Sequence, residues 1–276
     1  MNAFGYAIIA GVLVSVPLVA YATRGVKAQQ GTYPLYFHIK NDPNVSVTQG
    51  KVKQVFNNIL KVNQGKYFVG LEPECVTDWN TELNYYSEFS HIPTMISPFT
   101  SDNAKQLSLD QTLQAIQTAN VTGLRFHEVI SYYGNTTFPT DYALSLIKLA
   151  QDYNIPVFWN EWNIYTFDQI ASIIQGYEDT VIVSFGTNNA EVEPSEGYQL
   201  LQRFQRKGAS VQSYYWYERN GRVPGYEYTM PPQLMAEFTK LAISSNLEMV
   251  QLEPFNYFFN FDTTPRTTLK DYFGEI

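Results

Sequence analysis

Short apolar runs alternate with helix-period segments along most of the chain. The runs fall at 34–39, 67–72, 93–99, 123–129, 156–162, 180–187, 209–218 and 248–255, and an amphipathic segment fits after each, at 48–63, 79–89, 109–120, 141–153, 167–177, 195–207, 232–244 and 266–273. In Tyr142, Leu146, Leu149 and Tyr153 the apolar spacing alternates between four and three, as one buried helical face requires. Start signals agree: Ser108 precedes a run with an acid in its first turn, Thr140-Asp141 opens another, and Pro231-Pro232 begins a third. Gly65 and Gly208 stand where helices are expected to stop. Strand and helix alternating eight times predict a single (β/α)8 TIM barrel. An open doubly wound sheet would want a glycine-rich phosphate loop after an early strand, and none is present.

The chain begins differently. Residues 1–22 carry no charged side chain and read as an apolar segment interrupted by Pro17. The segment predicts a signal peptide or a membrane anchor, with a membrane tether through residues 3–22 as one form of it. Ala20-Tyr21-Ala22 fits a small-x-small cleavage pattern, so an extracellular or cell-surface location is expected. Residues 1–30 are therefore leader and short linker, and residues 31–276 are the barrel domain.

Composition narrows the chemistry. The 276 residues are 45% hydrophobic and 16% charged, enough for one large core. The net charge of −8, without a basic cluster, speaks against nucleic acid as a partner. One cysteine permits no internal disulfide. The three histidines, His38, His91 and His127, are not spaced as metal ligands, so neither metal nor cofactor is expected. The 21 Tyr and 18 Phe exceed what a core needs and suit a cleft that stacks rings against sugars.

Active sites of such barrels lie at the carboxyl ends of the strands. Those ends gather acids here: Glu72 on the second strand, Glu128 on the fourth, Glu161 on the fifth, Glu218 on the seventh and Glu253 on the eighth. Glu72, Glu161 and Glu253 sit inside apolar runs, where an unpaired charge is expensive and wants a reason. Strand alternation sorts the list. With Val250 and Leu252 facing the helices, Gln251 and Glu253 turn inward; with Leu124 and Phe126 outward, Arg125 and His127 turn inward and Glu128 has the wrong parity unless the strand has ended or bulged. On the fifth strand Val157, Trp159 and Glu161 share a face, and only a bulge lets Asn160 join them.

Paired carboxylates, an arginine, a histidine and aromatic rings suit cleavage of a glycosidic bond, which needs one protonated acid and one ionised carboxylate. The Asn160-Glu161 pair at one strand end and Glu253 three strands on resemble the clan of retaining (β/α)8-barrel glycoside hydrolases, where an Asn-Glu strand carries the acid/base and a later glutamate is the nucleophile. The clan places these groups on strands four and seven, where this chain has Glu128 and Glu218. The resemblance implies Glu161 as acid/base, Glu253 as nucleophile or base, Glu128 and Glu218 as a second pair, and a carbohydrate substrate. Glu72, Arg125, His127, Asn160, Trp162, Tyr214 and Trp216 would bind it, with a tryptophan raising the pKa of Glu161 by desolvation. A non-catalytic glycan-binding surface protein and a divalent-metal hydrolase are the competing expectations.

Overall fold

The structure is a computed structural model that describes residues 33–39, 49–73, 90–100, 107–133, 138–187, 192–212, 231–253 and 269–276. Eight parallel strands close into a barrel in chain order: β1 (Pro34–Ile39), β2 (Phe68–Pro73), β3 (Thr94–Thr100), β4 (Val121–His127), β5 (Val157–Glu161), β6 (Val181–Gly186), β7 (Arg206–Gln212) and β8 (Val250–Glu253). β1 closes the ring on β8, with Tyr36 opposite Gln251. The described helices are α1 (Gln49–Asn63), α2 (Leu109–Thr118), α3 (Val129–Tyr133), α4 (Thr140–Asp152), α5 (Phe167–Ile173), α6 (Pro194–Leu200), α7 (Pro232–Ser244) and α8 (Leu269–Glu275). The TIM-barrel expectation holds.

The alternating side chains separate into two cores. Outward residues such as Leu35, Phe37, Leu71, Leu124, Phe126, Val157, Trp159, Val183, Phe185, Val211 and Leu252 pack against the helices in one continuous cluster. Inside the barrel a smaller apolar plug of Tyr36, Met95, Phe158, Ile182 and Met249 fills the amino-end half. Above that plug the inward positions become polar: His38, Glu72, Arg125, Asn160, Ser184, Ser210, Gln251 and Glu253 are all buried. The carboxyl-end half of the barrel is thus a polar layer resting on an apolar floor, the geometry expected of a functional mouth.

Local signals explain most boundaries. Ser108 accepts from the Gln111 backbone N–H and the Gln111 side chain accepts from the Ser108 N–H, a complete capping box for α2. Pro232 occupies the first turn of α7, where a missing N–H costs nothing. Gly65, at φ 76°, takes the left-handed conformation after α1. Gly208 does not end a helix as expected. It lies within β7, where an added Cβ would come within 2.7 Å of the Phe158 ring, so the small residue makes room for the interior plug. The expected helix 195–207 correspondingly shortens to α6 and a 3-10 turn at Leu201–Arg203. Arg206 and Lys207 instead start β7, since the amino end of the barrel leaves both partly exposed and pairs Arg206 with Glu248.

The fourth run was expected to extend to residue 129. β4 instead stops at His127, and Glu128 adopts φ 54° before α3 begins at Val129. The leader at 1–30, the helix expected at 79–89, and the continuations of β7 and β8 past 212 and 253 lie outside the described residues. Among the described residues no helix is long and apolar enough to cross a membrane, and the tether expected of residues 3–22 falls outside them.

Candidate functional site at the barrel mouth

The polar layer is organised around Arg125. From the inner face of β4 its Nη1 donates to Glu72 on β2 at 2.9 Å, and its Nη2 donates to Glu253 on β8. Arginine suits this position because its planar fork stays charged and addresses two carboxylates at once. Glu72 also accepts from the Ser97 hydroxyl and from the Gln251 amide. The network continues through Ser210, which donates to Gln251 at 3.3 Å, and through Gln212, which donates to Ser210 at 3.3 Å and to Glu128 at 3.2 Å.

Two imidazoles border Glu253. His38 Nδ1 lies 3.0 Å from Glu253 Oε1, and His127 Nδ1 lies 3.7 Å from the same oxygen. On its other side His127 Nε2 is 3.8 Å from Glu128 Oε2. The imidazole therefore stands between two carboxylates, one on β8 and one at the corner that follows β4. Arg125 Nη2 also touches His127 Nδ1. A guanidinium can only donate, so Nδ1 of the neutral ring must accept and the ring proton sits on Nε2, facing Glu128.

Glu128 reaches the mouth through its backbone. Continued alternation would send its side chain outward beside Phe126; the left-handed φ of 54° reverses it. Its N–H donates to the Asn160 carbonyl at 2.8 Å, which fixes the corner to β5. A non-glycine residue in this conformation carries strain of the kind found at functional positions.

Asn160 and Glu161 take opposite faces. The register of β5 against β4 and β6 runs without a bulge. Asn160 consequently points inward, where its Oδ1 accepts from Ser184 at 3.3 Å while its buried Nδ2 has no hydrogen-bond partner. Glu161 points into the helix layer. Its Oε1 accepts from the Ile130 N–H at 2.8 Å and from Trp159 Nε1 at 3.1 Å; its Oε2 accepts from the Ser131 N–H at 3.2 Å and the Ser131 hydroxyl at 2.6 Å. Burial raises its pKa to about 7, while these hydrogen bonds, Trp159's among them, pull it down.

These positions correct the expected catalytic pair. Glu161 does not face Glu253 across the mouth, because parity places it on the outer side of β5 and its four acceptor contacts are made there. Glu253, Glu128, Glu72, Arg125, His127 and Asn160 are brought together. Glu218, Tyr214 and Trp216 lie outside the described residues, and Trp162 is partly buried just past β5. His38, at the end of the first run, and Gln251, read as inward, complete the layer with Ser184, Ser210 and Gln212, which were not site candidates; Ser184 and Ser210 each stand between outward apolar neighbours, which alternation alone could have flagged. His38, Glu72 and Glu253 offer ligand atoms within 4.8 Å of one another, a spacing that could hold a metal ion. Arg125 already supplies a cation to both of those carboxylates.

No family model and no curated protein matches the chain. Solved structures do. A dihydropteroate synthase from Coxiella burnetii in complex with pteroic acid is similar with a TM-score of 0.55 at 10% identity, over 89% of this chain and 91% of that one. The dihydropteroate synthases of Stenotrophomonas maltophilia, with active site-bound imidazole, and of Burkholderia cenocepacia, complexed with 7,8-dihydropteroate, each give 0.53 at 9% identity, over 82% of this chain and 88% of theirs. At these identities the likeness establishes the barrel fold. The neighbours are enzymes, in keeping with the expectation of an enzyme, but they are not glycoside hydrolases. The resemblance to that clan, the glycan-binding alternative and the carbohydrate partner are therefore withdrawn, and the secreted, membrane-associated setting, which was expected from residues 1–22, gains no support from these neighbours.

Proposed function

We propose that the protein is an enzyme that binds a small nitrogen heterocycle in the barrel mouth and exchanges a proton with it at Glu128, beside a neutral His127. The observation that carries this reading is the placement of the imidazole between Glu253 and Glu128, with Arg125 fixing its tautomer. The neutral ring keeps its proton on Nε2, 3.8 Å from the Glu128 carboxylate, where it can be donated as a hydrogen bond to a bound substrate. The cycle needs only that the Glu128 carboxylate takes a proton from the substrate and later returns it, while His127 holds the substrate through Nε2–H and gives up no proton.

The ligand class follows from what the described residues of the mouth offer. Arg125 is committed to Glu72 and Glu253, so the cluster presents carboxylate acceptors and a buried, unpartnered Asn160 amide donor rather than a free cation. Ring N–H and amino groups beside a ring carbonyl or nitrogen complement that set, and buried donors are ordinarily satisfied by a partner. The pteroic acid and 7,8-dihydropteroate named for two of the fold relatives are ligands of this kind. The ligand type is carried over; the relatives' reaction is not.

Calorimetry of the purified chain against pterins, guanines and simple pyrimidines tests the reading. Binding is expected for at least one class, weakened at least tenfold by Asn160→Ala and by Glu253→Gln, and Glu128→Gln is expected to abolish turnover of the bound compound with little loss of affinity. Absence of binding across the panel, or binding indifferent to both mouth substitutions, refutes it.

A further inference from the structure

We propose that Glu161 is a positioning residue: from the outer face of β5 it holds the β4–α3 corner so that Glu128 turns its carboxylate toward His127. The inference rests on reading the mouth as the active site, but concerns a residue that touches no group inside it. Its carboxylate takes the two backbone N–H groups of Ile130 and Ser131 together with the Ser131 hydroxyl. N–H groups in the first turn of a helix have no acceptor within the helix, so an outside acceptor decides where such a turn sits.

Trp159 Nε1 steadies the carboxylate from its own strand. Glu128 lies two residues before Ile130, and its N–H is tied to the Asn160 carbonyl. β5 therefore grips the corner on both sides of the left-handed residue, by its backbone at Asn160 and by its side chain at Glu161. Neither grip alone specifies φ 54° at Glu128. With the turn after Glu128 anchored outward and the N–H before it anchored to β5, reversal of the chain at that residue joins the two. The Glu161 contacts thus offset a backbone conformation that a glutamate does not adopt unaided.

The three histidines provide a readout that needs no substrate. In NMR titrations of the imidazole nitrogens, Glu128→Gln is expected to lower the His127 midpoint by about 0.5 to 1 pH unit, the effect of removing one charge at this separation in a water-like medium. Glu161→Ala is expected to move it in the same direction, and the double variant no further than Glu128→Gln alone. An unmoved midpoint in Glu161→Ala, an equal shift by Glu161→Ala in the Glu128→Gln background, or no response to Glu128→Gln each overturns the inference. Should Glu161→Ala not fold, Glu161→Gln decides. It keeps one acceptor oxygen but sets an amide nitrogen against the Ser131 N–H, so a part-way shift supports the inference and a wild-type midpoint overturns it. A heterocycle panel that binds nowhere would count against the proposed function while leaving this outcome untouched.

Discussion

Glu161→Gln isolates the energetic consequence of burying a carboxylate without a counter-ion. Glu161 has no solvent exposure, and its pKa rises from 4.5 to about 7 because desolvation outweighs hydrogen bonds from Ser131, Ile130 and Trp159. All of those donors are neutral, so none supplies the charge that would offset burial. The unfolded chain releases this proton near 4.5 and the folded chain near 7. Between those values the folded state binds more protons, so this group lowers stability as pH rises through the window and adds no further slope above it. At 1.36 kcal/mol per pH unit the wild type loses about 3 kcal/mol across the window. Glutamine cannot ionise and removes that loss, at a cost of about 1 kcal/mol for the Ser131 N–H contact it fails to accept. Below about pH 5 the variant should equal the wild type or fall slightly short of it; above about pH 7.5 it should be more stable by about 2 kcal/mol. Guanidinium unfolding of both proteins from about pH 5 to 8 measures the difference, in which all shared titrations cancel. A difference independent of pH refutes the reasoning.

Arg125→Met leaves Glu72 and Glu253 buried without their cation and should destabilise the fold by about 3–5 kcal/mol in the same denaturant assay, with Glu72→Gln restoring part of the loss. Because the Arg125 guanidinium already serves both carboxylates of the His38, Glu72 and Glu253 set, millimolar Mg2+, Mn2+ or Zn2+ should not raise the melting temperature of the wild type; a clear rise would identify a working metal site. Gly197→Ala places a Cβ inside the contact distance of the Phe185 ring, so α6 must lift from β6 at a cost of about 1–3 kcal/mol, read as a lower denaturation midpoint.

The fold was legible because its cause is periodic. Each apolar run between turn residues is a strand buried on both sides, and eight of them with intervening amphipathic helices have few other ways to close. The orientation of Glu253 was legible for the same reason, since Val250 and Leu252 must face the helices. Glu161 carried an equivalent signal: Val157 and Trp159 placed it on the outer face, and only the attraction of an Asn-Glu motif argued otherwise. What the sequence could not show is how a buried carboxylate would be satisfied there. Its acceptor contacts come from Ile130 and Ser131, 31 and 30 positions earlier, at the start of a five-residue helix with no periodic signature.

Glu128, a candidate whose parity depended on the strand having ended, reaches the mouth because the strand does end at His127. Period-two reasoning assumes extended backbone, and one residue at φ 54° reverses the face of everything after it. No residue type at position 128 announces that reversal; glycine or asparagine would have, glutamate does not. The two positions are linked. Glu161 was expected at the mouth and lies behind it, Glu128 was expected there provided the strand had ended and does lie there, and the hydrogen bonds from Ile130 and Ser131 to Glu161 physically connect the two. A carboxylate placed outside the barrel can thus govern a site inside it, by fixing the one backbone turn through which a neighbouring strand delivers its own acid.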